Sequence, residues 1–146
     1  MITAAKRLDH ILLEMASRLD RISEEKSTHR PAPGKWSKKE ELGHLIDSAA
    51  NNHQRFVRMQ IENNLSLQQY KQDEWVKLQR YHSLAWREIV KLWQVYNTHL
   101  LHIMKHIDES KLENTGTFPE YGTKTLQFLL DDYVDHLEEH LKSILA

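Results

Sequence analysis

With 146 residues and a formal net charge of −1, the chain has the length of one domain, residues 1–146, and no charge excess to draw it to nucleic acid or an anionic membrane. It contains no cysteine, so disulfides, thiolate metal sites and a cysteine nucleophile are excluded, and any metal must be held by His, Asp or Glu. No apolar run approaches the ~20 residues that span a bilayer, and Lys6, Arg7, Asp9 and His10 interrupt any signal-peptide core, so a cytoplasmic protein is expected.

Four glycines and three prolines leave few breaks, which favours long helices. The first is expected over residues 3–27. Ala5, Leu8, Ile11, Leu12, Met15, Leu19 and Ile22 recur at helical spacing, and Thr3 is a candidate N-cap. Pro31, Pro33 and Gly34 mark a linker. Ser37 and Glu40 then form a capping box, with Trp36 placed to staple onto Glu41 or Leu42.

The second helix is expected to reach about residue 63. Two stripes compete on it. Leu42, Leu45, Ile46, Ala49, His53, Phe56, Val57 and Gln60 share one face, which makes His53 the core-facing histidine by periodicity, while His44, Ser48, Asn51 and Arg55 form a polar stripe on the other. That polar stripe is either a solvated surface or one wall of a site. Asn63 and Asn64 break the helix, and a short helix is expected within residues 70–81 of a long connection. The third long helix, residues 83–107, carries the stripe Trp86, Ile89, Val90, Trp93, Tyr96, Leu100, Met104 and Ile107, with Ser83 a candidate cap. Its His99, His102 and His106 project opposite that stripe, toward water. Gly116, Pro119 and Gly122 mark turns, and residues 113–121 read as extended.

The fourth helix begins near Thr125. Its apolar face, Leu126 to Ile144, takes in His140 and has His136 at its edge. The chain therefore holds two His-x-x-x-His pairs, each with its rings stacked on one helix face. One faces solvent and the other faces the core, where ring nitrogens need partners. His136, Glu139 and His140 also spell the His-x-x-Glu-His protease signature, but only six residues follow His140 and Glu139 points away from the histidine face, so that reading fails.

Trp36-Ser37, Gly43-His44-Leu45-Ile46-Asp47-Ser48, Asn51, Arg55-Phe56, Tyr70-x-x-Asp73-x-Trp75 and the terminal His136-x-x-x-His140 together resemble the DinB/YfiT-like superfamily, over residues 33–144. The resemblance implies an all-α four-helix bundle with a long crossover. It also implies a divalent transition metal, Zn or Ni, held by His44, His136 and His140, with Ser48, Asn51 and Arg55 at the site mouth. It selects His44 over His53, which periodicity does not. Asp132 and Asp47 are candidate acceptors for the second ring N–H of His136 and His44. Two departures from the family pattern, Glu139 in place of a histidine and Ser143 in place of a glutamine, bear on substrate contact and not on the metal. The expected function is a metal-dependent enzyme acting on a small molecule, a hydrolase or a thiol S-transferase using a low-molecular-weight thiol. The competing reading is a metal-free structural or binding bundle. The four tryptophans also offer a homodimer interface.

Overall fold

The computed structural model describes residues 1–146. Four long helices make the body: α1 (Thr3–Asp20), α3 (Lys38–Ile61), α5 (Trp86–Lys105) and α6 (Leu126–Leu145). Two short ones, α2 (Glu24–Thr28) and α4 (Gln72–Gln79), lie in the connections. Each of α1 and α3 packs against both α5 and α6, so α1 and α3 sit on opposite sides of the bundle. The side chains that meet along its axis are those the helical periodicity singled out, including Leu8, Leu45, Phe56, Trp93, Leu100 and Leu130, all buried. Burying each side chain of this size contributes about 1.5–3 kcal/mol.

The boundaries follow local chemistry. The first helix does not reach residue 27. It stops at Asp20, and Ser23 starts a new helix by accepting the Lys26 N–H at 3.1 Å. The break frees Glu24 to tie three elements together: its carboxylate meets Lys39 Nζ at 2.6 Å and accepts the Trp86 N–H at 3.0 Å. The N-cap of α1 is Ile2, with no side-chain bond, and that of α5 is Ala85, so neither Thr3 nor Ser83 serves as a cap. The backbone N–H of Trp86 is met instead by Glu24.

At the start of α3 the capping box forms as its sequence requires. Glu40 N–H donates to Ser37 Oγ at 3.3 Å and Ser37 N–H donates to Glu40 Oε1 at 3.0 Å. Lys38 reaches across to the carbonyl of Ile144, a cation on the C-terminal turn of α6. The two helices are thereby pinned antiparallel, the first turns of one beside the last turns of the other. Thr125 caps α6 through the Phe128 N–H at 3.1 Å.

One small sheet accompanies the bundle. Strands β2 (Thr115–Phe118) and β3 (Gly122–Thr125) form a hairpin where residues 113–121 read only as extended, with Gly122 at φ +74°. The third strand, β1 (Leu65–Ser66), pairs parallel to β2. It comes from the stretch that reads in sequence only as a helix break. Gly116 admits it, because a Cβ there would sit 2.3 Å from Leu67 Cδ1. The tryptophans divide by role. Trp86 and Trp93 are core, Trp36 is half-buried, and Trp75 is 37% exposed, so packing accounts for most of them.

Candidate functional site

Residues 41–48 of α3 lie against the last three turns of α6. Leu42, Leu45 and Ile46 fill the core, and the helix turns His44 toward α6, only 1% exposed. His136 and His140, one turn apart on α6, face it. The three rings form a tight triangle: His44 to His136, 5.0 Å between centroids; His44 to His140, 4.9 Å; His136 to His140, 4.5 Å. One nitrogen from each ring falls within 4.8 Å of the other two. The Nε2 atoms of His44 and His136 are 3.1 Å apart.

The surroundings keep the rings of His44 and His136 neutral. Burial, reinforced by the neighbouring rings, pushes the pKa of His44 down to about 3. Burial and His140 push His136 down to about 4. Both are therefore uncharged imidazoles at neutral pH, each with a lone pair. His140 is oriented from outside. Its Nδ1 lies 2.9 Å from Glu41 Oε2, and since a carboxylate only accepts, Nδ1 carries the proton and Nε2 keeps its lone pair free. Ser143 Oγ donates to the other oxygen of Glu41 at 3.1 Å. Trp36 covers the far side, its ring 5.0 Å from that of His44. His44 Nδ1 is buried and has no partner.

His136 also lines a cleft of about 390 Å³ that runs from the triangle along α3 and α6 to the hairpin. Ser48, Asn52, Arg55 and Tyr70 line it from one side; Phe118, Phe128 and Tyr133 are among those lining the other. Tyr133 is anchored below by a buried hydrogen bond from its hydroxyl to Asn97 Oδ1.

Residues 7–144 match the model of the DinB superfamily. The chain belongs to the DinB superfamily. Its DinB fold superposes on that of YfiT from Bacillus subtilis with a TM-score of 0.85 and 18% identity, covering 97% of this chain and 81% of that one. YfiT is described as "a probable metal-dependent hydrolase with an unusual four-helix bundle topology". Two curated relatives are each named "Putative metal-dependent hydrolase". The one from Halalkalibacterium halodurans is 24% identical over 109 residues, 75% of this chain and 63% of the relative. The one from Bacillus mycoides is 24% identical over 113 residues, 77% of this chain and 65% of the relative. The match thus spans less than two thirds of those relatives' length.

The three histidines converge, and several neighbours differ from expectation. Ser48 and Arg55 line the cleft, but Asn51 does not: its amide donates back to the Asp47 carbonyl at 2.9 Å. Asn52 stands in its place. Spacings of three then four residues (48, 51, 55) and four then three (48, 52, 55) describe the same helical stripe, so periodicity cannot choose between them. Asp47 Oδ1 accepts from Tyr81 Oη at 2.7 Å and Gln79 Nε2 at 2.8 Å, not from His44, and its Oδ2 has no partner. Asp132 is exposed at the cleft rim and makes no bond to His136. Trp36 packs its ring against that of His44. His53 is half-buried and shares a 2.9 Å hydrogen bond with Tyr96. His99, His102 and His106 are exposed, as their placement opposite the α5 stripe implies. Glu41 was legible in principle, since it precedes His44 by three residues and so shares its face.

Proposed function

We propose that this protein is a metal-dependent hydrolase of small molecules whose divalent ion is held by His44, His136 and His140. One observation carries the reading: three imidazoles from two helices present one nitrogen each to a common point at the end of a cleft. The donor set fits an ion. Two nitrogens each about 2.1 Å from a metal stand about 3.0 Å apart at octahedral angles and about 3.4 Å apart at tetrahedral ones. The 3.1 Å between His44 and His136 lies in that interval. A direct hydrogen bond between those two rings is the metal-free alternative, and it leaves the lone pair of His140 Nε2 without a partner.

A divalent ion held there supplies a Lewis acid that polarises the reacting oxygen or sulfur of a bound molecule. The protein's own residues do the rest. Glu41 and Ser143 hold His140 in one tautomer. Trp36 and the α3–α6 seam shield the rings from bulk water, which strengthens electrostatic interactions at the point. Three protein ligands would hold an ion without completing its coordination, the ligand count of catalytic sites as opposed to structural ones.

The test is metal analysis of untagged protein followed by turnover of ester, amide and phosphoester substrates, with and without a small thiol. We expect one Zn or Ni per chain, hydrolysis abolished by chelator, and no metal in His44→Ala. A protein that carries no ion and is indifferent to chelator returns the metal-free bundle. Turnover that depends on the thiol converts the assignment from hydrolase to thiol S-transferase.

A further inference from the structure

The cleft beside the histidine triangle contains two cations that form no ion pair within the protein. Arg55, on α3, is half-buried, and its guanidinium carbon lies 4.9 Å from the centroid of the Phe118 ring. Lys124, on β3, holds its ammonium 4.8 Å from the centroid of the Phe128 ring. Neither takes part in any ion pair of the molecule. The one protein hydrogen bond of the guanidinium runs from Nη2 to the Gln68 carbonyl at 2.9 Å, leaving its other N–H groups free. Asp132, exposed at the rim of the same cleft, lies beyond ion-pair distance of Lys124 and couples to it only through longer-range attraction.

This is an unusual way to keep an arginine. A partly buried guanidinium ordinarily finds a carboxylate, because desolvating the charge costs free energy that a partner offsets. Burial lowers the Arg55 pKa here, the mark of that uncompensated cost. Aromatic faces hold both cations in position and leave the charge unspent. Ser48, Asn52 and Tyr70 add uncharged hydrogen-bonding groups to the same wall.

We propose that Arg55 and Lys124 form the specificity subsite of the cleft, binding a carboxylate or phosphate group of the substrate with its apolar part against Phe118 and Phe128. The planar fork of arginine suits either anion. Position along α3 sets the size of the molecule. Arg55 follows His44 by eleven residues, about 16 Å of helix. Both side chains lean the same way along the helix, so the anion and the reacting atom stand on the order of 15 Å apart. The subsite rests on the metal-centre reading only for where the reacting end lies.

The experiment is calorimetric titration of the full chain, in chelator, with phenylacetate, phenyl phosphate and the neutral phenylacetamide. Each anion that fits should bind at least ten-fold more tightly than the amide, and whichever of the two binds better identifies carboxylate or phosphate. Arg55→Gln should erase that ten-fold preference, Arg55→Lys should keep part of it, and Lys124→Gln should reduce it about three-fold. Equal binding of amide and anion, no anion binding, or unchanged preference in Arg55→Gln overturns the proposal. Should Arg55→Gln not fold, Lys124→Gln carries the same readout. Binding that disappears only when chelator is present would put the anion on the histidines and also overturns it. Metal analysis of the same sample separates the two readings: anion selectivity in a protein that never binds metal keeps the subsite and removes the centre.

Discussion

The molecule contains two His-x-x-x-His pairs whose rings stand equally far apart, 4.5 Å between centroids in His102–His106 and in His136–His140. Only the second has a third ring in contact with both of its members: His44 lies 5.0 and 4.9 Å from the two rings, whereas His99 stacks on His102 alone, at 6.5 Å. On α5 the apolar stripe from Trp86 to Met104 takes the core-facing side, so His102 and His106 are left on the solvent side. His106 has also left the helix as its C-cap and turns Nδ1 to the His102 carbonyl at 2.8 Å. On α6 the pair borders the stripe, and α3 brings His44 onto it. Spacing within a helix makes a bidentate pair; a neighbouring helix makes a site.

Breaking the buried set should have the largest effect. His136→Ala is expected to weaken Zn binding more than 100-fold by calorimetry, while the double variant His102→Ala/His106→Ala keeps the parent affinity. Metal at 100 times its Kd should add about 2.7 kcal/mol to stability, which is about 5–11 °C in melting temperature for a domain of this size.

Acid separates the regions next. The folded pKa values of His44 and His136, about 3 and about 4, lie below the unfolded value of 6.5. Between those limits the unfolded chain binds more protons, so stability falls as pH falls. Metal-free protein should hold full stability above about pH 6.5 and lose up to about 1.4 kcal/mol per pH unit for each ring below it. Urea titrations from pH 7.5 to 4.5 measure the slope, and His44→Gln should remove one ring's share. Glu24 acts in a lower window. Its carboxyl, held down to about 2 chiefly by Lys39 and the Trp86 N–H, contributes stability present above 4.5 and lost as pH falls toward 2.

A smaller effect tests the floor of the site. A Cβ on Gly43 would lie 2.3 Å from Tyr81 Cδ2. Gly43→Ala must therefore move the ring that bonds Asp47, at an expected cost of about 1–3 kcal/mol in chemical denaturation. The smallest change comes from Glu41→Gln, which leaves His140 in place and removes the charge behind it. About ten-fold weaker metal binding is expected, with fold stability unchanged in chelator. A loss no greater than that of a surface control such as Glu14→Gln would mean that Glu41 orients nothing.

The helices were legible because periodicity and capping are local. The Ser37–Glu40 box and the Thr125 region mark the starts of α3 and α6 where they occur. What the sequence withheld depends on contacts between distant segments. Nothing near Leu65 announces a strand, because its partner is at Gly116. Periodicity alone makes His53 the core-facing histidine and puts His44 with the polar residues, yet His44 is the buried one, because α6 packs against its face. Asn51 and Asn52 differ by one rotation step, which tertiary contacts settle.

The pinning of α3 against α6 has a consequence for how the molecule is made. His44 and His136 are 92 residues apart in the chain. In an unfolded chain their meeting carries the entropy of closing a long loop, so the three nitrogens rarely coincide and ion capture there is weak. During synthesis α3 contributes only His44 to this set, and the three-imidazole arrangement does not exist until the last helix docks. Under the proposed metal centre, loading would be a completion signal: an ion that binds tightly would report a bundle already closed, and its full binding energy would then resist reopening of the α3–α6 seam.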